Sequence, residues 1–150
     1  MKIQIENKQT KIKIDRRKIR STVRTILNIM DCANKELCIS FVDDKTIQQL
    51  NKNYLQRDKS TNVLSFSMQE GKYGNINPNI LGDIIVSAET AQRDADIGNL
   101  SLYEEIVFLI IHGLLHLLGF NHENTPKAQS AKMRLKEKEL FGILTTPSQI

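Results

Sequence analysis

Hydrophobic residues recur along this chain in two patterns, which predict different elements. Short apolar or alternating runs predict strands over residues 2–6, 11–14, 37–42, 63–66 and 83–87. Helical spacing of apolar residues predicts helices over residues 15–30, 43–54, 88–96, 101–118 and 126–141. These elements intermix without the regular alternation of a doubly wound fold. We therefore expect one α+β domain over residues 1–150, with a small mixed β-sheet packed against helices.

The most apolar element is the predicted helix that begins after Ser101. Ser101 and Glu104 have the spacing of a capping box. Residues 106–118 are apolar on nearly every side, which predicts a helix buried in the middle of the domain. This run is too short to cross a bilayer, which needs about 20 apolar residues, and the N-terminal residues lack the apolar run of a signal peptide. We expect a cytoplasmic protein with no membrane partner.

Composition and cysteine usage agree with that expectation. A hydrophobic content of 40% and a charged content of 25% are typical of a soluble globular domain. The two cysteines, Cys32 and Cys38, do not form a C-x-x-C pair. We expect two reduced, mostly buried thiols rather than a disulfide.

Positive charge is concentrated near the N-terminus. Residues 1–35 contain ten Lys or Arg residues and three acidic residues, whereas the whole chain carries a net charge of +4. Two interpretations stay open: a solvated helix face, or a surface that attracts phosphate backbones. No aromatic residue lies among these charges, so stacking on unpaired bases is not indicated there.

All three histidines fall within one short segment with the pattern H-x-x-x-H-x-x-G-x-x-H. His112 and His116 are four residues apart, which places them one turn apart on the same helix face. Gly119 can end the helix in a left-handed conformation and let the chain turn back, so that His122 becomes a third ligand. Three histidines with a fourth position left to water are typical of a catalytic zinc site.

Two histidines inside an apolar helix need partners for their ring nitrogens. A single histidine in such a helix is usually a packed or hydrogen-bonded core residue, and each unpaired buried polar group costs about 1–3 kcal/mol. One divalent ion satisfies both rings, so we expect Zn²⁺ as the cofactor. Imidazole also suits Ni²⁺ and other borderline divalent ions, which therefore stay open.

The histidine spacing equals that of the metzincin metalloproteases, so we expect a metzincin-like arrangement in which a central buried helix carries the metal ligands. Gly113 stands where metzincins have a glutamate that acts as the general base. A glycine cannot accept a proton, which argues against peptide hydrolysis. Attack on a phosphodiester remains open, because its charge can be met by the metal and a neighbouring cation.

The segment from His112 to His122 resembles the signature of the YbeY family of bacterial endoribonucleases and ribosomal RNA maturation factors. The resemblance covers roughly residues 36–141. Its other matching segments are Leu50-Asn51, residues 58–66, residues 81–84, and Met133 with Glu137 in the last helix.

The resemblance implies an α+β fold, a zinc ion on His112, His116 and His122, and cleavage of single-stranded RNA in ribosome maturation and quality control. Ribosomal RNA would be the partner, ribosomal subunit proteins are further candidates, and DNA is not expected. Two positions depart from the family pattern. Leu55 stands where the family usually has an arginine, with Arg57 as the nearest substitute, and Asn121 stands where the family favours aspartate.

The mechanism that follows assigns Arg57, with Lys59, to stabilising the charge that develops at phosphorus. For Arg57 a solvated surface position is the alternative. Ser65, Asp83 and Glu123 are candidate polar groups around the water. Two rival functions stay open: a metal-dependent protease or amide hydrolase, and a non-catalytic ribosome-assembly factor in which metal only stabilises the fold.

Overall fold

A computed structural model describes residues 2–68, 79–120 and 127–145, with side chains in the last helix from residue 131. In chain order the elements are β1 (Lys2–Asn7), α1 (Arg16–Ile29), β2 (Glu36–Val42), α2 (Asp44–Leu55), β3 (Val63–Ser67), β4 (Ile80–Ser87), α3 (Ala88–Ile97), α4 (Leu102–Leu117) and α5 (Lys127–Thr145). The predicted α+β class is confirmed, and α5 continues four residues beyond its predicted end.

The four strands form one mixed sheet in the order β1-β2-β4-β3. β1, β2 and β4 are parallel, and β3 is antiparallel to β4. β1 and β3 are therefore the two edges. Parallel neighbours need long crossover connections, and α1 provides the one between β1 and β2. The predicted small mixed sheet is confirmed.

Three predicted helix starts are confirmed by their caps. The Asp15 side chain accepts a hydrogen bond from the Lys18 N–H, and Asp43 does the same for Thr46. Ser101 and Glu104 form the reciprocal capping box before α4. Each cap satisfies backbone donors that the first helical turn leaves unpaired.

The predicted strand over residues 11–14 is wrong. A local side chain takes the backbone groups that a neighbouring strand would need. Gln9 Oε1 accepts from the Ile12 N–H at 2.9 Å, and Gln9 Nε2 donates to the Ile12 carbonyl at 2.7 Å. Such side-chain bonds compete with sheet pairing. The sequence also predicts a loop over residues 71–80, which are rich in glycine and asparagine. That segment lies mostly outside the described residues, and Ile80 begins β4.

The core lies between the sheet and α4, which also contacts α1, α3 and α5. Apolar side chains of α4 such as Ile110, Ile111 and Leu114 are fully buried, as are Ile39 and Ile84 on the facing strands. The prediction of a buried central helix is thus confirmed for the part that carries His112 and His116.

Among the described residues, no single helix combines the length and apolarity that a bilayer span requires. Helices α3 and α4 reach the required length and apolarity only when they are counted together, and the chain bends by 112° between them.

Cys32 and Cys38 are not joined in a disulfide, as the sequence predicts. Cys32 is buried and its Sγ donates to the Met30 carbonyl at 3.3 Å, whereas Cys38 is half-buried in β2. Burial raises the pKa of both thiols. They are therefore protonated near neutral pH and poorly nucleophilic.

Candidate active site

Two histidine rings converge on the exposed side of α4. The Nε2 atoms of His112 and His116 lie 3.1 Å apart, and their ring centroids are 4.6 Å apart. Both residues are half-buried in a helix whose neighbouring positions are buried. The predicted one-turn spacing therefore brings two nitrogen atoms to one point at the surface of the core.

Glu137 of α5 fixes the orientation of one ring. Its Oε1 lies 2.9 Å from His112 Nδ1, and only 6% of the residue is exposed. A carboxylate at Nδ1 accepts the ring N–H, so the Nε2 of neutral His112 keeps its lone pair for a ligand. Metal-binding histidines commonly have such a carboxylate partner. Sequence reasoning noted Glu137 only as a family position, because its contact with His112 spans two helices.

The geometry of this pair fits a divalent ion. Two imidazoles on one tetrahedral Zn²⁺ with Zn–N bonds of about 2.0–2.1 Å have nitrogens about 3.3 Å apart. The observed 3.1 Å is close to that separation. An N–H···N hydrogen bond between the rings has a similar length, so distance alone does not choose between the two interpretations. A histidine oriented by a buried carboxylate, as His112 is, is a donor type common in known metal sites, so the pair fits a divalent ion.

The third expected ligand, His122, lies outside the described residues, as do Asn121 and Glu123. Within residues 2–68, 79–120 and 131–145, no set of three His, Cys, Asp or Glu side chains could hold a metal ion. The three-histidine ligand set therefore stays a prediction.

The predicted end of the helix is confirmed at Gly119. Its φ is +98°, in the left-handed region that favours glycine. The Gly119 N–H donates to the His116 carbonyl at 3.1 Å, and the Phe120 N–H donates to the Leu115 carbonyl at 2.9 Å. This is the Schellman pattern of helix termination. The chain thus leaves the helix axis directly after the histidine pair.

Gly113 allows α4 to approach β4 closely. A Cβ at position 113 would lie 3.1 Å from Ile84 Cγ2, with two other Ile84 carbons at 3.3 Å. Sequence reasoning treated Gly113 only as a lost general base. The structure adds a packing reason for glycine, since a larger side chain there would press against the sheet.

The histidine pair lies at the wall of a cleft of about 500 Å³ between α4, β3 and the segment that joins α2 to β3. Arg57, Lys59 and Ser65 line the same cleft as His112 and His116. Arg57 and Lys59 are exposed to solvent. The structure therefore brings both predicted cations, and the two predicted metal ligands that it describes, to one cavity.

Asp83 does not belong to this cleft. Ser65 pairs with Ile84, whose side chain faces α4. Asp83 is adjacent to Ile84 in β4, so its side chain points to the other face of the sheet. Asp83 is exposed there beside Cys38. We therefore remove Asp83 from the candidate residues.

Asp44, the first residue of α2, anchors the cleft-lining segment. Its Oδ1 accepts hydrogen bonds from the hydroxyls of Ser60, Ser87 and Thr90. Its Oδ2 lies 2.7 Å from Arg93 Nη2. Burial raises the pKa of Asp44, but the hydrogen bonds and the Arg93 charge outweigh it and lower the pKa to about 2. The network ties α2, α3 and the segment before β3 together.

A second charged region lies on α1. Lys13, Arg16, Arg17 and Arg20 surround a surface hollow of about 760 Å³, which we call the α1 basic surface. Asp15 also lines the hollow and caps the helix. Because α1 packs on β1 and α4 while the cleft lies at β3, this surface is on the opposite flank of the sheet.

Comparison with known proteins places this chain in a family. A family model described as Endoribonuclease YbeY matches residues 4–145. The chain belongs to that family. Relatives named endoribonuclease YbeY include one from Syntrophus aciditrophicus, 51% identical over 96% of this chain and 90% of its own length. Another, from Aquifex aeolicus, is 42% identical over 91% of this chain and 87% of its own length.

A solved structure supports the fold. The solution structure of TM1509 from Thermotoga maritima matches with a TM-score of 0.65. The match covers 95% of this chain and 88% of that chain, at 22% sequence identity. At that identity, the likeness supports the α+β fold alone.

Proposed function

We propose that this protein is a metal-dependent endoribonuclease that cleaves single-stranded regions of ribosomal RNA in ribosome maturation and quality control. The observation that carries the proposal is the convergence of His112 and His116, with Glu137 behind them, in a cleft that also presents Arg57. Membership of a family whose members are named endoribonucleases supports RNA as the substrate class. The ribosomal assignment follows the sequence resemblance.

The residues proposed to hold the metal are His112, His116 and His122, with Zn²⁺ as the expected ion and Ni²⁺ as the alternative. A bound zinc ion would supply an acidified water, with a pKa of about 7, as the nucleophile. Glu137 holds the His112 ring with Nε2 directed toward His116. This orientation is set before any ligand arrives, which lowers the entropy lost on binding.

Arg57 and Lys59 have the charge that an RNA phosphate requires. Both are exposed at the wall of the cleft. Negative charge spreads over the phosphoryl oxygens as the attacking oxygen approaches, and cations placed there stabilise it. We assign this role first to Arg57, because a guanidinium donates to two phosphate oxygens at once.

Peptide hydrolysis is the less favoured alternative. A metzincin-type base would stand at position 113, where α4 approaches Ile84 too closely for a larger side chain to fit without displacement. A phosphodiester leaving group needs less help from such a base than an amine does. The contacts of Gly113 therefore favour the nuclease.

The deciding experiment is metal analysis of the purified protein by mass spectrometry, with parallel assays on single-stranded RNA, double-stranded RNA and casein. We expect about one divalent ion per chain, and cleavage of single-stranded RNA that a chelator abolishes and Zn²⁺ restores. Cleavage of casein instead would support the protease. RNA cleavage that disappears on further purification, while ribosome binding persists, would support the assembly factor.

A further inference from the structure

Asn51 of α2 is a buried polar residue with one of its polar atoms unsatisfied. Only 2% of the residue is exposed, and Oδ1 has no hydrogen-bond partner among the described residues. Buried unsatisfied acceptors are rare and destabilise the fold. Asparagine is also a weaker helix former than leucine. Folding stability alone therefore does not account for asparagine at this position.

The other end of the Asn51 amide makes a specific bond. Nδ2 donates to the Lys59 carbonyl at 3.0 Å, and the Asn51 main-chain carbonyl accepts from the Arg57 N–H at 3.2 Å. The Lys59 N–H donates back to the Arg57 carbonyl at 2.9 Å. The segment from Arg57 to Lys59 is thus a closed turn that one residue holds at both ends. Asn51 itself lines the same cleft as this turn and His116.

We infer that Asn51 is a positioning residue: its Nδ2 holds the turn from Arg57 to Lys59 against α2, so that both cations stay at the wall of the cleft that the histidine pair also lines. This inference rests on the proposed function, since it assigns the turn a role in RNA cleavage. Arginine and lysine side chains are long and flexible, so their placement depends on the backbone that carries them. The amide bond to Lys59 restricts that backbone.

The kinetic consequence is larger than the loss of one hydrogen bond suggests. A displacement of about 1 Å in a group that meets the transition state can lower the rate about 100-fold. The hydrogen bond from the Arg57 N–H to the Asn51 main-chain carbonyl does not depend on the side chain at position 51, so a substitution there loosens the turn without releasing it. We therefore expect the rate to fall by less than about 100-fold.

The first experiment replaces Asn51 by leucine, which has a similar size and lacks both polar atoms. For Asn51→Leu we expect kcat on single-stranded RNA to fall about tenfold, with KM changed less than about twofold and the melting temperature not appreciably lowered. Asn53→Leu is the matched control, because Asn53 is exposed on the same helix; it should behave as the parent. Asn51→Asp, which keeps the shape and removes the donor, is the second variant and should lower kcat likewise.

A mutant cycle tests whether Asn51 acts through the two cations of the turn. In a background that combines Arg57→Ala with Lys59→Ala, Asn51→Leu should change kcat by less than about twofold, because the groups it positions are gone. An equal loss in both backgrounds would overturn the inference. So would full activity of Asn51→Leu, or a loss of activity that follows a lowered melting temperature.

Trypsin provides a measurement that does not depend on RNA. Its cleavage sites include the bonds after Arg57 and Lys59, so the rate of native-state cleavage at these bonds reports how firmly the turn is held. We expect several-fold faster cleavage there in Asn51→Leu and an unchanged rate in Asn53→Leu. If trypsin cleaves Asn51→Leu no faster than the parent, the inference is overturned, even if the protein cleaves RNA. If trypsin cleaves Asn51→Leu faster but the parent protein does not cleave RNA, the role of Asn51 in holding the turn stands and the proposed function is refuted.

Discussion

The cleft at β3 and the α1 basic surface are both positively charged, but they are built differently. In the cleft, two hydrogen bonds of about 3 Å hold the groups in place: His112 Nδ1–H donates to Glu137, and Asn51 Nδ2 donates to the Lys59 carbonyl. On the α1 basic surface, none of the four cations forms an ion pair within the described part of the chain. Chemistry at one atom needs fixed geometry, whereas attraction of a polyanion needs only exposed charge. The cleft should therefore control turnover, and α1 should control affinity and its dependence on salt.

The largest effect should come from His116→Ala. Loss of one ring leaves a divalent ion too few protein ligands, so we expect loss of bound metal and a fall in RNA cleavage of more than about 100-fold. Metal content by mass spectrometry and cleavage rate are measured on the same preparation. Unchanged metal stoichiometry would refute the site, and loss of metal with full cleavage would refute the mechanism.

Glu137→Gln should lower metal affinity about 10- to 100-fold, because the amide no longer orients and polarises His112 as a carboxylate does. Competition with a chelator of known affinity measures the change. Glu139→Gln is the matched control, since Glu139 is exposed on the same helix and its ion pair with Lys136 contributes little. Equal metal affinity in the two variants would mean that the bond to His112 is only structural.

Arg57→Ala should lower RNA turnover by about tenfold or more and leave metal content intact, because the guanidinium acts on the phosphate and not on the ion. Arg57→Lys should recover part of the loss, since a point charge remains without the paired donors. Steady-state kinetics on a short single-stranded RNA separates kcat from KM. Parental kcat in Arg57→Ala would remove the residue from the mechanism.

Neutralising Arg16 and Arg17 to glutamine should weaken binding of long RNA and leave kcat on a short substrate unchanged. For each phosphate that the variant no longer neutralises, the slope of log affinity against log salt should fall by about 0.7. The variant with Lys132→Gln and Arg134→Gln on α5 changes the net charge equally and serves as the control. If both double variants shift the slope alike, the effect belongs to net charge and the solvated-face interpretation of α1 stands.

The smallest effect should be the pH dependence contributed by Asp44. Its pKa of about 2 in the folded protein lies below the value of about 3.9 in an unfolded chain, so its contribution to stability is complete above about pH 4. The contribution should be lost as the pH falls toward about 2. Asp44→Asn should lower the melting temperature by a few degrees near neutral pH, and the difference from the parent should shrink below pH 4. A difference that is constant from pH 6 to pH 2 would contradict the depressed pKa.

Sequence reasoning succeeded where local physics decides the structure. The caps at Asp15, Asp43 and Ser101 depend only on neighbouring backbone groups, and so does the left-handed end of α4 at Gly119. Sequence reasoning failed at residues 11–14, where alternation predicted a strand. There the Gln9 side chain forms hydrogen bonds with the N–H and the carbonyl of Ile12, which a neighbouring strand would otherwise use. Periodicity reports which side chains share a face, and it does not report which group completes a hydrogen bond.

The sequence by itself determined the five helices, four of the five predicted strands and the presence of two imidazoles on one helix face, because each follows from spacing within a few residues. The order of these elements indicated the mixed α+β class. Only the tertiary structure decided that Glu137 orients His112, that Asn51 holds the turn at Lys59, and that Gly113 faces Ile84. Those contacts join separate elements, and their geometry depends on how α2, α4 and α5 pack around the sheet. Packing also removed Asp83 from the site, since pleating directs adjacent strand residues to opposite faces.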